Sequence, residues 1–271
     1  MGMKLATWNI NSIRARTDRA LAALERHDLD VLALQETKCK PEQFPMEPFA
    51  EAGYQVAVAG VNQWNGVAII SRAGLDAVQT SFPGQPGFEK GEPEVGQLFR
   101  NATVEPRAIG ATVAGVELWS LYVPNGRTVG DPHYHYKLEF LRALRDYAAD
   151  RLAADPQLQM ALVGDWNIIP TDDDIWDTTA TGGLYLSDAE REVFDAFADA
   201  GFVETTRDHA TNYTFWDYQQ LRFPRNQGMR IDFVYASPAL AARVVGAEID
   251  RDERKGKGAS DHVPVLVEFG D

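Results

Sequence analysis

Polar side chains that could carry out acid–base chemistry stand where apolar segments of the chain end. In LVGDWNI, residues 162–168, Asp165 and Asn167 are two positions apart. Alternate residues of an extended strand point the same way and lie about 7 Å apart, so both side chains could enter one cleft. A carboxylate in a cleft can act as a general base if a water molecule lies within hydrogen-bond reach. Taken alone, either residue could equally be a turn former that closes a strand.

The amino-terminal part of the chain repeats this pattern. Asn9 and Asn11 follow the first apolar segment, again two positions apart, and Glu36 directly follows the apolar run VLALQ. A charged residue at the end of such a run must emerge from the core, because burying an unpaired carboxylate is costly. Each of these residues could simply be the end of a strand that reaches solvent, so they gain meaning only if they meet in space.

A histidine near the carboxyl end has a predicted partner. His262 follows Asp261 and precedes an alternating apolar segment, whereas Asp232 stands alone beside the apolar residues FVY. Because an unpaired buried carboxylate is costly, we expect Asp232 to pair with His262. Such a pair fixes the imidazole tautomer, favours the imidazolium form and leaves the other ring nitrogen free to face an anion.

Several other catalytic motifs are missing from the sequence. It contains no phosphate-binding loop of the ATPase type, no nucleophile elbow of serine hydrolases and no dinucleotide fingerprint. The acidic run TDDDIWD fails as a calcium loop, because Trp176 and Asp177 stand where an oxygen ligand and the turn glycine are needed. We therefore expect residues 172–174 to be capping or loop acids.

The composition restricts the class of protein. The 271 residues include 26 basic and 40 acidic side chains, which gives a net charge of −14. This acidity argues against a protein that coats nucleic acid, because the molecule as a whole repels phosphate. It is compatible with metal-dependent phosphate chemistry, in which a divalent cation separates carboxylates from the phosphodiester.

The single cysteine, Cys39, excludes an internal disulfide, and no signal or membrane segment is recognised, so we expect a cytoplasmic protein.

Strand and helix signals alternate along the chain and must position these residues. Helices are predicted over 17–27, with Thr17 as the cap, 135–154 and 189–200. The predicted strands are 4–10, 31–35, 54–58, 66–71, 98–104, 108–113, 116–123, 160–164, 231–236, 244–249 and 263–269. No linker or charge block divides the chain, so we predict one α/β domain over residues 1–271, with two packed sheets covered by helices.

Six short motifs in order resemble the exonuclease III family of AP endonucleases, part of the endonuclease/exonuclease/phosphatase superfamily. They are WNIN (8–11), LQETK (34–38), YVPNG (122–126), GDWNI (164–168), RID (230–232) and SDH (260–262). One such motif is unspecific, but all six occur in the family's order between Met3 and Phe269, which makes the resemblance specific.

The resemblance implies a four-layer α/β sandwich, with two mixed, mainly antiparallel sheets packed face to face and helices outside. It implies a DNA repair nuclease that uses Mg²⁺, or Mn²⁺, to hydrolyse the phosphodiester 5′ to abasic sites. The same enzyme would remove nucleotides or blocking groups from the 3′ ends of duplex DNA. A bacterial-type, nucleoid-associated monomer in the cytoplasm is expected.

The resemblance also implies a role for each residue of the predicted site. The metal side comprises Glu36 as the principal ligand, Asn9 and Asp261. Asp165 handles the proton of the attacking water, and Asn167 helps to orient that water. Tyr122 contacts the phosphate, while His262, held by Asp232, hydrogen-bonds a phosphate oxygen. These residue types suit the reaction, because hard oxygen ligands favour Mg²⁺ and the cation stabilises charge on the phosphate.

Substrate contacts are predicted in the segment 212–232 and in two loops. The segment interleaves aromatic rings with arginines, which suits an exposed sugar or base and its flanking phosphates. In the resembled family this region forms the pocket for an abasic deoxyribose. The predicted contacts are Phe215, Trp216, Met229, Arg230, Asn125, Arg127 and Lys38. The alternative for Trp216 is an aromatic hairpin packed into the core, and Met229 departs from the Trp of some relatives, so the selectivity of the pocket stays open.

Two other functions remain as alternatives. A metal-dependent phosphodiesterase or phosphatase that acts on small or lipid phosphates would use the same chemistry, and the net charge of −14 favours it. A binding module that has lost catalysis is disfavoured, because the predicted catalytic residues are all present. The sequence leaves open whether one or two metal ions act, how Asp165 and Tyr122 divide their roles, and how abasic-site cleavage compares with 3′ trimming.

Overall fold

Twelve strands and five α-helices make up the computed structural model over the residues that it describes, 2–88 and 102–271. The strands are β1 (Met3–Asn9), β2 (Val31–Gln35), β3 (Gln55–Ala59), β4 (Val67–Ser71), β5 (Asp76–Gln79), β6 (Ala108–Val113), β7 (Val116–Tyr122), β8 (Met160–Asp165), β9 (Val203–Glu204), β10 (Asp232–Ala236), β11 (Val244–Ile249) and β12 (Val265–Phe269). The helices are α1 (Thr17–Arg26), α2 (Met46–Glu51), α3 (Pro132–Ala154), α4 (Asp188–Asp199) and α5 (Pro238–Ala241).

The strands form two sheets of six, which have the orders β11-β12-β1-β2-β4-β3 and β5-β6-β7-β8-β10-β9. Within the described residues each sheet contains one parallel pair, β1–β2 in the first and β7–β8 in the second, and its other neighbours are antiparallel. Both parallel pairs lie in the middle of their sheets. Because parallel strands end at the same edge of a sheet, each pair brings two carboxyl ends together.

Three apolar cores separate four layers. The inner faces of the two sheets pack against each other through Leu5, Val31, Ile69, Leu118, Val163 and Val234. A second core joins the outer face of the β7–β8 sheet to α3 and α4, and a third joins the outer face of the β1–β2 sheet to α1 and α2. The central strands are buried on both sides, as expected for sheets covered on both faces. The predicted four-layer sandwich is confirmed.

The two helices over the second sheet begin at well-formed caps. Asp131 precedes α3 and accepts a hydrogen bond from the main-chain N–H of His133 at 2.8 Å, and Pro132 occupies the first helical position. Ser187 and Glu190 cap α4 reciprocally, with the Glu190 carboxylate accepting from the Ser187 main-chain N–H at 3.2 Å. Such caps satisfy main-chain donors that the first helical turn leaves unpaired. They fix the start of both helices relative to the sheet.

The structure corrects some of the predicted elements. Thr17 is the first residue of α1 and not its cap, because its hydroxyl donates to the Ile13 carbonyl at 3.0 Å. The predicted strand over 98–104 lies mainly outside the described residues, and residues 102–104 are not in a strand. The strands β5 and β9 and the helices α2 and α5 were not predicted. β5 is exposed along its whole length and β9 has two residues, so neither produces an apolar pattern. No described helix has the length and apolar character needed to cross a membrane.

Candidate active site

The carboxyl ends of the two parallel strand pairs meet at one edge of the sandwich. In the first sheet Asn9 ends β1, opposite the last residue of β2, and Glu36 follows β2. In the second sheet Tyr122 and Asp165 end β7 and β8 opposite each other. The Asn9 amide nitrogen bridges the two sheets, because it donates to Glu36 Oε1 at 2.9 Å and to Asp165 Oδ2 at 3.0 Å. Residues from distant segments of the chain therefore meet at one edge of the sandwich.

Two residues that follow these strand ends adopt the left-handed backbone conformation. Glu36 has φ 50° and Asn167 has φ 49°. This conformation costs about 1 kcal/mol for a residue with a Cβ and concentrates at functional sites. At Asn167 local hydrogen bonds hold it: the main-chain N–H donates to Asp165 Oδ1 at 3.0 Å and the side-chain amide donates to the Val123 carbonyl at 2.9 Å. In each sheet the left-handed residue thus lies at or just after the carboxylate that marks the strand end.

The predicted pairing of His262 with Asp232 is confirmed. His262 Nδ1 lies 2.8 Å from Asp232 Oδ2, and Thr214 Oγ1 donates to the same oxygen at 2.6 Å. The other ring nitrogen, Nε2, lies 3.7 Å from Asp165 Oδ2. Asp232 and Thr214 therefore fix the ring so that Nε2 faces the cleft that contains Asp165.

Burial and neighbouring charges set the protonation of this pair. Burial lowers the pKa of His262, but the carboxylates of Asp232 and Asp165 outweigh it and raise that pKa to about 10. The ring is therefore an imidazolium at neutral pH. Burial, together with the charges of Asp232 and Glu36, raises the pKa of the Asp165 carboxyl well above its usual value, although His262 opposes the shift. Asp165 is thus a carboxylate with a strong tendency to take up a proton.

Glu36 has the opposite electrostatic environment. Burial raises the pKa of its carboxyl, but the charge of Lys38 and the hydrogen bonds from Asn9 and Lys38 outweigh burial and lower it. Lys38 Nζ lies 2.8 Å from Glu36 Oε2 and donates to Asn11 Oδ1 at 2.6 Å. Glu36 therefore stays ionised. Lys38, predicted to contact phosphate, is engaged by this carboxylate at the rim of the site.

Tyr122 is suited to donate a hydrogen bond. Burial, followed by the charge of Glu36, raises the pKa of its hydroxyl well above the ordinary value, although the Arg107 guanidinium opposes the shift. Arg107 lies 5.0 Å from the centre of the Tyr122 ring. The hydroxyl is therefore neutral at physiological pH and can act as a donor, not as a base.

The donor set at this edge fits a hard divalent cation. Ligand atoms of Asp165, Asp232 and His262 lie within 4.8 Å of one another, and Asp232 Oδ1 is buried without a hydrogen-bond partner among the described residues. A protonated imidazole cannot coordinate a metal, so the carboxylate oxygens remain as ligands. Glu36 lies outside this group and is more accessible, with 17% of its side chain exposed against 2% for Asp165.

The two other predicted metal ligands are engaged by Asn11. Asn9 Oδ1 accepts from the Asn11 main-chain N–H at 3.1 Å, so the Asn9 amide nitrogen, and not its oxygen, faces the carboxylates. Asp261 Oδ1 accepts from Asn11 Nδ2 at 3.0 Å. Asn9 therefore holds Glu36 and Asp165 through its amide nitrogen. Asp261 is connected to these residues through its hydrogen bond with Asn11.

Phe215 and Met229 lie where a substrate pocket was predicted. The Phe215 ring is half-buried, 4.9 Å from the His262 ring between centroids, and it pairs with Met229 through main-chain hydrogen bonds of 2.9 Å. Both line a cavity of about 150 Å³ together with Trp176 and Arg222. Arg222 stacks over the Trp176 ring at 4.6 Å. This cavity is lined by the Phe215 ring that contacts His262, and it presents aromatic surface and a cation.

Two predicted substrate contacts are wrong. Trp216 is fully buried and packs edge-on against Phe223, so the alternative of an aromatic hairpin in the core is correct for this residue. Arg230 is 1% exposed, donates to Thr206 Oγ1 at 2.6 Å and stacks over Phe233 at 5.4 Å. Neither side chain has a surface that a DNA strand could reach.

Asn125 and Arg127 lie in the loop that follows β7. Both are exposed. Asn125 Nδ2 donates to the Tyr185 hydroxyl, and Asn125 Oδ1 accepts from the main-chain N–H of Arg127 at 3.1 Å. The loop starts at the site edge, directly after Tyr122, so its polar side chains stand at the rim.

Sequence reasoning missed two residues that support the site. Thr214 holds Asp232, as described above, and Lys137 contacts the Asn167 carbonyl from α3. Lys137 lies on the apolar face of α3, one turn before Leu141 and one residue before Leu138. The sequence offered one signal, a lysine among the apolar residues of a predicted helix. Because lysine is almost never fully buried unless it is paired, this position indicated a buried partner.

A four-layer sandwich with carboxylates, amides and a histidine at one edge of its two sheets defines a class of metal-assisted phosphoester hydrolases. The chain belongs to the endonuclease/exonuclease/phosphatase family, whose sequence pattern matches residues 6–262. It is 31% identical to an exodeoxyribonuclease of Bacillus subtilis over 97% of this chain and 98% of that protein. The resemblance to the exonuclease III family is confirmed.

Two solved structures are similar over nearly the whole chain. A 3′ phosphatase from Neisseria, bound to a product DNA hairpin, has a TM-score of 0.87 and 31% identity, with 99% of this chain and 100% of that chain covered. An AP endonuclease from Archaeoglobus fulgidus has a TM-score of 0.85 and 30% identity, with 98% and 99% covered.

Proposed function

We propose that this chain is a divalent-metal-dependent DNA repair nuclease that works as a single catalytic domain over residues 1–271. It hydrolyses the phosphodiester 5′ to abasic sites and removes nucleotides or blocking groups from the 3′ ends of duplex DNA. The observation that carries the proposal is the Asn9 amide, which joins Glu36 of one sheet to Asp165 of the other beside the His262 imidazolium. The DNA-bound and AP endonuclease relatives support DNA as the substrate.

Glu36 is the residue that would hold the cation, which we propose to be Mg²⁺, with Mn²⁺ as a substitute. A bound divalent cation supplies charge stabilisation at the non-bridging and leaving oxygens of the phosphodiester. Glu36 remains ionised because of Lys38 and Asn9, and its partly exposed oxygens face the site. A phosphate entering the site would compete with Glu36 for the ammonium of Lys38.

Asp165 accepts the proton of the attacking water. Its burial and its acidic neighbours favour the protonated form, which makes proton uptake favourable as the reaction proceeds. Asn9 donates to Oδ2 and the Asn167 main chain donates to Oδ1, so the carboxylate cannot rotate. The Asn167 amide nitrogen is held by Val123, which leaves its oxygen as the atom that orients the water.

The phosphate is held by two hydrogen-bond donors that lie close to Asp165. The Nε2–H of His262 donates to a phosphate oxygen, with its charge maintained by Asp232. The neutral hydroxyl of Tyr122 donates to the phosphate as well. Donors fixed before the substrate arrives stabilise developing negative charge most effectively.

The cavity between Phe215 and Met229 receives the sugar at the abasic position or the terminal nucleotide. Its aromatic surface can contact a deoxyribose that has no base, and Arg222 provides a cation for a flanking phosphate. Asn125 and Arg127, which are exposed in the loop after β7, provide further contacts to the strand. We expect a monomer that works in the cytoplasm, with association to the nucleoid through DNA.

A second candidate is a phosphodiesterase or phosphatase that acts on small or lipid phosphates with the same catalytic residues. The net charge of −14 favours it, because long-range attraction to DNA is lacking. The burial of Arg230 removes one predicted DNA contact as well.

The test uses a duplex with one stable abasic-site analogue and a soluble chromogenic phosphodiester. We expect a single incision 5′ to the analogue with Mg²⁺, none with EDTA, and little hydrolysis of the soluble ester. Asp165→Asn serves as the inactive control. Rapid hydrolysis of the soluble ester with no incision would establish the second candidate instead.

A further inference from the structure

A lysine that the proposed reaction does not use is buried directly behind the catalytic turn. The Lys137 side chain is fully buried on α3, and its ammonium contacts both the main-chain carbonyl of Asn167 and the Glu190 carboxylate of α4. Glu190 is fully buried as well. Apolar residues of similar volume can often replace a buried ion pair without loss of stability, because desolvating two charges is costly. Stability alone therefore gives no sufficient reason for an ammonium at this point.

The contact with Lys137 satisfies the Asn167 carbonyl, a main-chain group that lies beyond the end of β8. Asn167 has φ 49°, so its carbonyl leaves the direction of the β8 ladder and points toward α3. Lys137 provides the donor for this buried carbonyl. The main-chain N–H of Asn167 is held by Asp165 and its side-chain amide by Val123. Together these contacts hold the carbonyl, the main-chain N–H and the side-chain amide nitrogen of Asn167 in place.

The same ammonium is linked to the loop that follows β7. Lys137 Nζ lies 4.9 Å from the centre of the Tyr185 ring, and the Tyr185 hydroxyl accepts a hydrogen bond from Asn125. Burial lowers the pKa of Lys137 to about 8, while the charges of Glu190 and Asp165 oppose the shift. The ammonium is thus charged at neutral pH and interacts favourably with the Asp165 carboxylate.

We propose that Lys137 is a positioning residue, which holds the turn from Asp165 to Asn167 in its reactive geometry by donating to the Asn167 carbonyl. It does not touch the substrate or the reacting water. It acts through Asn167, whose amide oxygen orients that water, so the inference rests on the proposed function. Misplacing a reacting group by a fraction of an ångström slows the chemical step more than it weakens substrate binding.

The test separates the carbonyl contact from the ion pair. Glu190→Gln removes the charge of Glu190 but keeps a side chain that can cap α4, and Lys137 keeps its contact with Asn167. In Lys137→Met/Glu190→Gln the donor is lost while the site stays neutral. Single-turnover cleavage of the abasic duplex with Mg²⁺ and duplex affinity in EDTA are measured for both variants. We expect Glu190→Gln to cleave within about 3-fold of the wild type and the double variant to be about 10- to 100-fold slower with unchanged affinity.

Equal rates for Glu190→Gln and the double variant would overturn the proposal, since Lys137 would then serve the fold alone. A comparable loss in Glu190→Gln would overturn it too, because the ion pair would be the cause. If the double variant does not fold, Lys137→Gln/Glu190→Gln replaces it: its shorter amide weakens the contact, so we expect a rate several-fold below that of Glu190→Gln, and an equal rate would contradict the proposal. An inactive wild type would instead refute the proposed function.

Discussion

The carboxyl ends of the two parallel strand pairs are built alike but differ in electrostatics. Each pair lies in the middle of its sheet and is followed by a left-handed residue, Glu36 in one sheet and Asn167 in the other. Glu36 is partly exposed beside Lys38, and its pKa is lowered. Asp165 is buried among acids, and its pKa is raised. Similar positions at two strand ends thus give one carboxyl group with a lowered pKa and one with a raised pKa, the difference that the proposed roles of metal ligand and proton acceptor require.

The largest effect is expected on the buried side of this comparison. Asp165→Asn keeps the shape of the side chain but removes the proton acceptor, so the rate of incision at an abasic site should fall by about 10³-fold or more. Affinity for the duplex in EDTA should stay within a few-fold of the wild type, because Asn can still accept a hydrogen bond from Asn9. Retention of near-full activity would remove Asp165 from the mechanism.

On the exposed side, Glu36→Gln should produce a loss that depends on the metal concentration. The amide is a weaker ligand than the carboxylate, so incision should be about 10²-fold slower at limiting Mg²⁺ and should recover in part as Mg²⁺ is raised. Asp165→Asn is the matched control, because excess Mg²⁺ should not restore it. A loss in Glu36→Gln that is independent of Mg²⁺ would mean that Glu36 does not hold the cation.

The position of His262 between the carboxylates of Asp232 and Asp165 leads to a prediction about stability and pH. In metal-free protein the pKa of His262 is raised from 6.5 to about 10. The imidazolium therefore stabilises the fold fully below pH 6.5, and this contribution is lost as the pH rises through 10. The free energy of unfolding in EDTA, measured by denaturant titration at several pH values, should fall more steeply over this window for the wild type than for His262→Gln. Parallel curves would show that the ring is neutral in the folded protein.

The smallest expected effect concerns the cavity beside the histidine. Met229→Trp places a flat, rigid ring against Phe215, which should favour a sugar without a base over an ordinary terminal nucleotide. The ratio of abasic-site incision to 3′ trimming should change by about 3-fold or more, a difference measurable on two labelled duplexes. An unchanged ratio would mean that Met229 does not contact the substrate.

The sequence was sufficient to predict the site edge but not the substrate contacts. Asn9, Glu36 and Asp165 were recognisable because each ends or follows a mainly apolar run that is typical of a strand, and a polar residue there is expected at a sheet edge. Phe215 and Trp216 are neighbours of the same type, and alternation places one toward His262 and the other in the core. Which of the two faces inward depends on the register with Met229, and that register is set by tertiary packing.

Buried charges were the other point at which sequence reasoning stopped. Arg230 was predicted to contact the substrate because its segment interleaves aromatic rings with arginines, but Thr206 and Glu204 provide partners for it inside the protein. Lys137 was passed over as part of a predicted helix. Arg230 lies 24 residues from Thr206 in the sequence, and Lys137 lies 53 residues from Glu190. No local pattern indicates such pairings.

Calorimetric titration of Mn²⁺ into Glu36→Gln and Asp165→Asn, without DNA, tests the division of roles most directly. We expect Glu36→Gln to lose most of its affinity for the cation, while Asp165→Asn binds it within a few-fold of the wild type. The reverse order, with Asp165→Asn losing the cation and Glu36→Gln keeping it, would contradict the assignment of the exposed carboxylate to the metal and the buried one to the proton.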